Sequence, residues 1–289
     1  MKSTHEKAWA KVNLTLDVLA PRADGYHELR MVMQSISLCD DLYMELRPGG
    51  TMAVCNLPFV PGDERNSAVK AAQVFRRAAG LEEGVYIRIK KRIPVCAGLG
   101  GGSSDAAAVL RALNRLTNAG FSARQLRELA LEVGSDVPFC VEGGTCLAEG
   151  RGEVLTPLTP LDACSVVVCM PHFSSSTKVL FGKIDSRASR CHPDTAGMEA
   201  ALDSHVLPEV ARRMYNVFED VLEPRRRRSV NEIKSALLAA GALGAAMSGT
   251  GSAVYGLFDD STKAEHALPE LSPLCKRVFL ASRTEKIIL

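Results

Sequence analysis

No CxxC pair, no zinc-ligand spacing and no long apolar run occur in this 289-residue sequence, and its net charge is only +2. Each absence excludes something. Without metal-type spacing, the nine cysteines, at 39, 55, 96, 140, 146, 164, 169, 191 and 275, are expected to be reduced core residues of a cytosolic protein. Cys164 and Cys169, which flank Ser165-Val166-Val167-Val168, show the pattern best. The opening residues, Met1-Lys2-Ser3-Thr4-His5-Glu6, lack an apolar signal core, and nothing approaches membrane-spanning length. A soluble, cytoplasmic chain with no membrane partner is expected. Near-neutral charge gives no bulk attraction to nucleic acid, while a small anionic substrate stays compatible. With no internal repeat, low-complexity tract or long linker, the mixture of strand and helix signals predicts two packed α+β domains.

What is present centres on residues 93–116. Val85, Ile87 and Ile89 alternate with Tyr86, Arg88 and Lys90 as a strand does, and Pro94 supplies the stop. After the loop, Val109, Leu110, Leu113 and Leu116 share one face of a helix that Ser104 or Asp105 can cap. Between them stand Gly98-Leu99-Gly100-Gly101-Gly102-Ser103-Ser104. Glycines let a backbone approach an oligophosphate closely, and a helix N-terminus aims N–H groups at its charge. A Walker loop is excluded because no Lys precedes the Ser, and Ser103 stands where a dinucleotide fingerprint needs its third glycine. The alternative is a merely flexible turn.

Residues 6–19 read as a strand with Ala8, Ala10, Val12, Leu14, Leu16 and Val18 on one face and Trp9, Lys11, Asn13, Thr15 and Asp17 on the other. Asp24-Gly25 is a turn signal, leaving Tyr26 and His27 just beyond it, with a return strand at Leu29–Leu38 and a third at Leu42–Leu46. Asn66 can cap a helix running to Ala79, and Ser122 with Gln125 makes a capping box for a helix that Gly134 ends. Ser135-Asp136-Val137-Pro138 comes at once after it; taken alone, an acidic residue there is a turn or cap. The first domain closes near Gly150–Glu153, giving domains 1–153 and 154–289. Cys164–Met170 reads as a buried strand, Ser174–Thr177 as a polar loop and 185–199 as a surface loop. Ser229 and Glu232 head a helix ending at Gly241, after an Arg225–Arg228 run expected in a solvated loop. Strands are expected at Ala253–Phe258 and Val278–Ser282. His5, His172, His192, His205 and His266 lack metal-ligand spacing and are expected at the surface.

If the glycine loop holds ATP, the reaction needs a base for a hydroxyl proton and a cation to counter charge. Asp136 and Lys11 are the candidates, although spacing alone does not bring them together.

Five segments taken in order, Ala10-Lys11-Val12-Asn13-Leu14, Arg22-Ala23-Asp24-Gly25-Tyr26-His27, Pro94 to Ala108, Gly134-Ser135-Asp136-Val137-Pro138-Phe139 and Met247-Ser248-Gly249-Thr250-Gly251, resemble the motifs of GHMP kinases. The Gly-Gly before Ser-Ser-Asp and the Tyr-His segment resemble one branch, which phosphorylates the 2-hydroxyl of a cytidine-diphosphate-linked methylerythritol in non-mevalonate isoprenoid synthesis. The resemblance implies a ribosomal protein S5 domain 2-like N-terminal domain and a ferredoxin-like C-terminal domain. It implies Asp136 as catalytic base and Lys11 as its charged partner. ATP would lie on Pro94 and on Gly98, Leu99, Gly100, Gly101, Gly102, Ser103 and Ser104, with Ser104 offering its hydroxyl to Mg²⁺. Substrate contacts carry over onto Asn13, Tyr26, His27, Thr177 and Phe181. Tyr26 and Phe181 suit stacking on cytosine and His27 its polar edge, while a core role for Phe181 stays open. A monomer or weak homodimer is expected.

The sequence departs from the resemblance at Trp9, where proline is usual, at Cys140, where a second aromatic is common, and at Thr250-Gly251-Ser252. Trp9, sharing a strand face with Lys11, is expected near the pocket. The Gly249–Gly251 loop either faces the same cleft or is only a tight connection. Two alternatives remain: another GHMP small-molecule kinase acting on a sugar, homoserine or mevalonate, and a catalytically silent nucleotide- or nucleic-acid-binding protein.

Overall fold

Strand β1 (Ser3–Pro21) and strand β2 (His27–Arg47) form one long antiparallel hairpin around Asp24-Gly25, where Gly25 takes φ +82°. The computed structural model describes residues 2–186, 191–287 and 289. The expected second and third strands are both part of β2. Asp40 and Asp41 read as a break, yet the ladder runs through them because Lys91 and Arg92 take up their carboxylates. Strict alternation along β1 also fails. An extra residue at Leu14, between the pairs Asn13–Met33 and Thr15–Val32, turns the rest of the strand to the other face, so Leu16 joins Lys11 on the cleft side.

Strand β3 (Met52–Cys55) pairs in parallel with β4 (Gly84–Lys90), and between them runs helix α1 (Ser67–Ala79). Asn66 caps α1 by accepting from the Ala68 amide, and Gly80 ends it with φ +62°. Helix α2 (Gly101–Thr117) comes after the glycine loop, then α3 (Ala123–Val133) with its Ser122–Gln125 capping box, and the short α4 (Val137–Glu142). Strands β5 (Thr145–Gly150) and β6 (Val154–Pro157) form a hairpin, with β5 laid on the first half of β2. That hairpin straddles residues 153 and 154, so the expected boundary there cuts paired strands. The first sheet continues to Pro157.

The remainder gives β7 (Ser165–Met170), α5 (Thr177–Asp185), α6 (Thr195–Asp203), α7 (Leu207–Arg212), β8 (Tyr215–Asn216), α8 (Pro224–Ala239), β9 (Gly244–Met247), β10 (Val254–Phe258), α9 (Ser261–Leu271) and β11 (Arg277–Ser282). Its antiparallel sheet has the order β11-β7-β10-β9. This is the β-α-β-β-α-β, ferredoxin-like arrangement. Strand β8 returns to the first sheet and pairs in parallel with β1 at Thr15 and Leu16.

Three helix starts differ from the sequence reading. Helix α2 begins at Gly101, capped by the backbone of Gly100 at φ +68°, so neither Ser104 nor Asp105 caps it. Helix α8 begins at Pro224, which suits a first helical position, and takes the arginine run into its first turns, leaving Ser229 and Glu232 inside it. Helix α5 starts at Thr177, directly after the polar stretch. In the expected loop at 185–199, residues 187–190 lie outside the described residues, while Thr195–Asp203 is helical with Asp194 as its cap.

Buried Arg111 of α2 ties three elements that the site depends on. Its guanidinium donates to Glu6 and the Lys7 carbonyl on β1 and to the Cys140 carbonyl on α4. Cys39, Cys140, Cys146, Cys169 and Cys275 are buried as expected, whereas Cys96 and Cys191 are exposed. Among the described residues no helix is long and apolar enough to cross a membrane.

Candidate active site

Two glycine loops from opposite halves of the chain meet over β1. A Cβ on Gly98 (φ +79°) would lie 2.0 Å from the Ser248 carbonyl oxygen, and Ser248 Oγ donates to the Gly98 carbonyl at 2.9 Å. Asn13, fully buried, joins them: its Oδ1 accepts from the Gly249 amide at 3.0 Å and from Lys11 Nζ at 2.7 Å. The Gly249–Gly251 loop therefore faces the cleft, and Asn13 sits behind its wall rather than lining it. Gly98→Ala is expected to cost at least about 1–3 kcal/mol through the strained φ and the backbone clash, and to abolish nucleotide binding. A wild-type melting curve with intact binding by calorimetry would refute this.

Lys11 lies beneath the first loop. Its amide donates to the Leu99 carbonyl at 3.0 Å, and a Cβ on Gly100 would touch its side chain at 3.0 Å. Its ammonium stands 3.6 Å from Asp136 Oδ2. Asp136 occupies the N-cap position of α4, yet its side chain makes no capping bond. The capping role open to it in sequence is unused, and the carboxylate is turned toward Lys11.

Beyond the loop, the amides of Gly101, Gly102 and Ser103 have no acceptor among the described residues, because the helical ladder starts with the Ser104 amide donating to the Gly100 carbonyl. No acidic residue stands in that first turn. Such a turn suits a phosphate. Ser104 does not: it is buried, and its hydroxyl donates to the Trp9 carbonyl. The described residues hold no group of three or more His, Cys, Asp or Glu side chains able to share a metal ion. Ser104, the residue expected to offer its hydroxyl to Mg²⁺, is thus turned away from the cleft lining with that hydroxyl bonded to Trp9. Trp9 is likewise absent from the cleft lining; Lys7 Nζ lies 5.4 Å from its ring centroid.

The cleft has a volume of about 960 Å³, and of the expected residues it is lined by Lys11, Tyr26, His27, Gly98, Gly100, Asp136, Thr177 and Phe181. Pro94, Leu99, Gly101, Gly102 and Ser103 lie outside this lining. At its far end Tyr26 is half exposed, with the Arg151 guanidinium 4.8 Å from its ring. Helix α5 forms the facing wall. Thr177, Phe181 and Asp185 recur at every fourth residue and so share one face: Thr177 bonds Thr250 across the loops at 2.9 Å, and Phe181 meets the His27 ring at 4.6 Å. Phe181 also packs edge-on against buried Phe218 at 4.9 Å, so it belongs to core and cleft together.

Sequence reasoning missed Cys96, Ser135, Arg151, Lys178 and Asp185, all of which line the cleft. For Arg151 a signal existed: it stands between two glycines with φ +69° and +109°, which makes a tight hairpin tip, not a domain end. For Asp185 it was the four-residue spacing from Phe181.

Comparison with known proteins agrees with this geometry. Residues 66–144 match the GHMP kinases N terminal domain, and residues 198–275 the GHMP kinases C terminal domain. A 4-diphosphocytidyl-2-C-methyl-D-erythritol kinase of Clostridium botulinum (strain Loch Maree / Type A3) is 42% identical over 274 residues, covering 95% of this chain and 98% of the relative. The chain belongs to the 4-diphosphocytidyl-2-C-methyl-D-erythritol kinase family. As a member of this GHMP kinase family it is a phosphotransferase, and ATP is its expected phosphoryl donor. The Clostridium perfringens family member is 43% identical over 90% of this chain and 91% of its own length. A crystal structure of 4-(cytidine 5'-diphospho)-2C-methyl-D-erythritol kinase superposes with a TM-score of 0.80 at 34% identity, covering 97% of this chain and 99% of that one. A homoserine kinase from Cytophaga hutchinsonii, with a TM-score of 0.78 at 20% identity, shares the fold.

Proposed function

We propose that the chain transfers the γ-phosphoryl group of ATP to the 2-hydroxyl of 4-diphosphocytidyl-2-C-methyl-D-erythritol. The observation that carries this reading is the Lys11–Asp136 pair at 3.6 Å, set between a phosphate-type helix turn and an aromatic end formed by Tyr26, His27 and Phe181. Asp136 takes the hydroxyl proton as the oxygen attacks phosphorus, and the bond to the ADP oxygen breaks. Lys11, held by Asn13 at 2.7 Å, faces the Asp136 carboxylate and balances charge on the moving phosphoryl group. The amides of Gly101, Gly102 and Ser103 are suited to the nucleotide phosphates, and Mg²⁺ would enter as part of the Mg-ATP substrate.

Tyr26 offers an aromatic face to the base, His27 a polar edge, and Arg151 and Lys178 positive charge for the diphosphate. Localisation in the cytoplasm and a monomer or weak dimer without nucleic-acid partners are consistent with this chemistry. The test is turnover of the cytidine compound with Mg-ATP, monitored as ADP release and product mass, beside homoserine, mevalonate and a free sugar. Phosphorylation of one of those three in its place would move the reading to another GHMP kinase.

A further inference from the structure

Asp185 lines the cleft, and the proposed phosphoryl transfer assigns it no role. It ends helix α5, and its Oδ1 lies 2.8 Å from His27 Nε2, a contact that reaches across 158 residues of chain. The His27 side chain is only 13% exposed, held between this carboxylate and the Phe181 ring. Its other nitrogen, Nδ1, has no hydrogen-bond partner among the described residues, and the ring lines the cleft.

An ionised carboxylate only accepts hydrogen bonds, so Nε2 must be the nitrogen that carries hydrogen. In the neutral ring Nδ1 is then an acceptor. A carboxylate fixes the tautomer of metal-binding histidines in the same way. The consequence for a pyrimidine is specific: cytosine presents an amino donor at the position where uracil presents a carbonyl acceptor. An acceptor ring nitrogen pairs with the first and repels the second.

We propose that Asp185 is a positioning residue that locks His27 in its Nε2–H form and so makes the cleft select an amino-bearing pyrimidine over uracil. The selectivity part rests on the proposed function, whereas the tautomer part does not. Thr177 and Phe181 on the same helix face hold the wall that presents Asp185, so selection of the base is built into the second half of the chain, while Lys11 and Asp136 belong to the first.

Long-range ¹H–¹⁵N spectra of the full chain at about pH 8, where an ordinary histidine is neutral, test the lock directly. His27 signals, assigned by their loss in His27→Gln, should report the Nε2–H tautomer alone. Asp185→Lys, which donates to Nε2 in place of accepting, should convert the ring to Nδ1–H. The same variant should lower the ratio of kcat/KM for the cytidine substrate over its uridine counterpart by about 10-fold or more, the worth of one exchanged hydrogen bond, mainly through KM. Asp185→Glu should restore the wild-type ratio. An Nδ1–H ring in the wild type, or an unchanged ratio in Asp185→Lys, overturns the proposal. Failure of the wild-type chain to phosphorylate either compound refutes the substrate reading and the selectivity with it, while the spectra still decide the lock.

Discussion

Asp136→Asn is expected to lower kcat by about 10²–10⁴-fold, the usual worth of a positioned general base, with folding and nucleotide binding retained. The structure separates catalysis from stability at this residue unusually well. Its carboxylate caps nothing, a third of it is open to the cleft, and its one ion pair among the described residues is with Lys11. The amide fills the same volume. Lys11 keeps Asn13 Oδ1 at 2.7 Å, so its buried ammonium is not left without a partner. The measurement is single-turnover phosphoryl transfer together with a thermal melt. A kcat within about 10-fold of wild type, in a protein that melts normally, would remove Asp136 from the role of base.

The second large effect lies under the loop. Lys91 Nζ bonds Asp40 at 2.5 Å and Asp105 at 2.8 Å, and all three side chains are at most 4% exposed. Asp40 is fully served, since its other oxygen accepts from the Arg92 and Ile93 amides. Asp105 is not: its Oδ1 has no partner among the described residues. Burial, with the Asp40 charge adding and Lys91 opposing, pushes its carboxyl up to about 8. Removing one member of such a cluster strands the others. Lys91→Met should cost about 3–5 kcal/mol, lowering Tm by about 10 °C. It should also loosen the first turn of α2, because Gly101 is seated on Lys91, where a Cβ would lie 3.2 Å from Nζ. A Tm within about 2 °C of wild type would show the cluster to be energetically idle.

The same carboxyl sets a pH slope. Its folded value, about 8, exceeds the unfolded value of about 3.9, so between these the folded chain holds a proton that the unfolded chain has released. Its contribution to stability is greatest below about pH 4, declines as pH rises to about 8, and is level above. Asp105→Asn should flatten that decline in melts taken across the interval.

Much of the site was legible as residue types, and little of it as contacts. Lys11, Asp136 and the glycine loop stand out because phosphoryl transfer needs a cation, a base and a close backbone. The 3.6 Å between Lys11 and Asp136 joins β1 to α4, two elements that Arg111 also ties through the Lys7 and Cys140 carbonyls, long-range bonds with no local trace. Ser104 had the right chemistry and the wrong direction: beginning α2 at Gly101 turns its hydroxyl onto Trp9. The family resemblance implies Asn13 as a substrate contact, whereas its burial makes it the joint between the two loops.

Determined by sequence alone were the features whose chemistry closes within a few residues. Asn66 and the Ser122–Gln125 box begin helices because side chain and amide are neighbours in the chain, and Gly25 and Gly80 turn because glycine takes positive φ without steric cost. Tertiary structure alone decided the unbroken course of β2 through Asp40-Asp41, the β5–β6 hairpin across the expected domain boundary, and the convergence of His27 with Asp185. At Asp40-Asp41 and at His27 a polar group is satisfied by a partner far along the chain, and the β5–β6 hairpin is fixed by the pairing of β5 with the distant β2. Local pattern cannot report such a partner, because packing of the whole molecule supplies it.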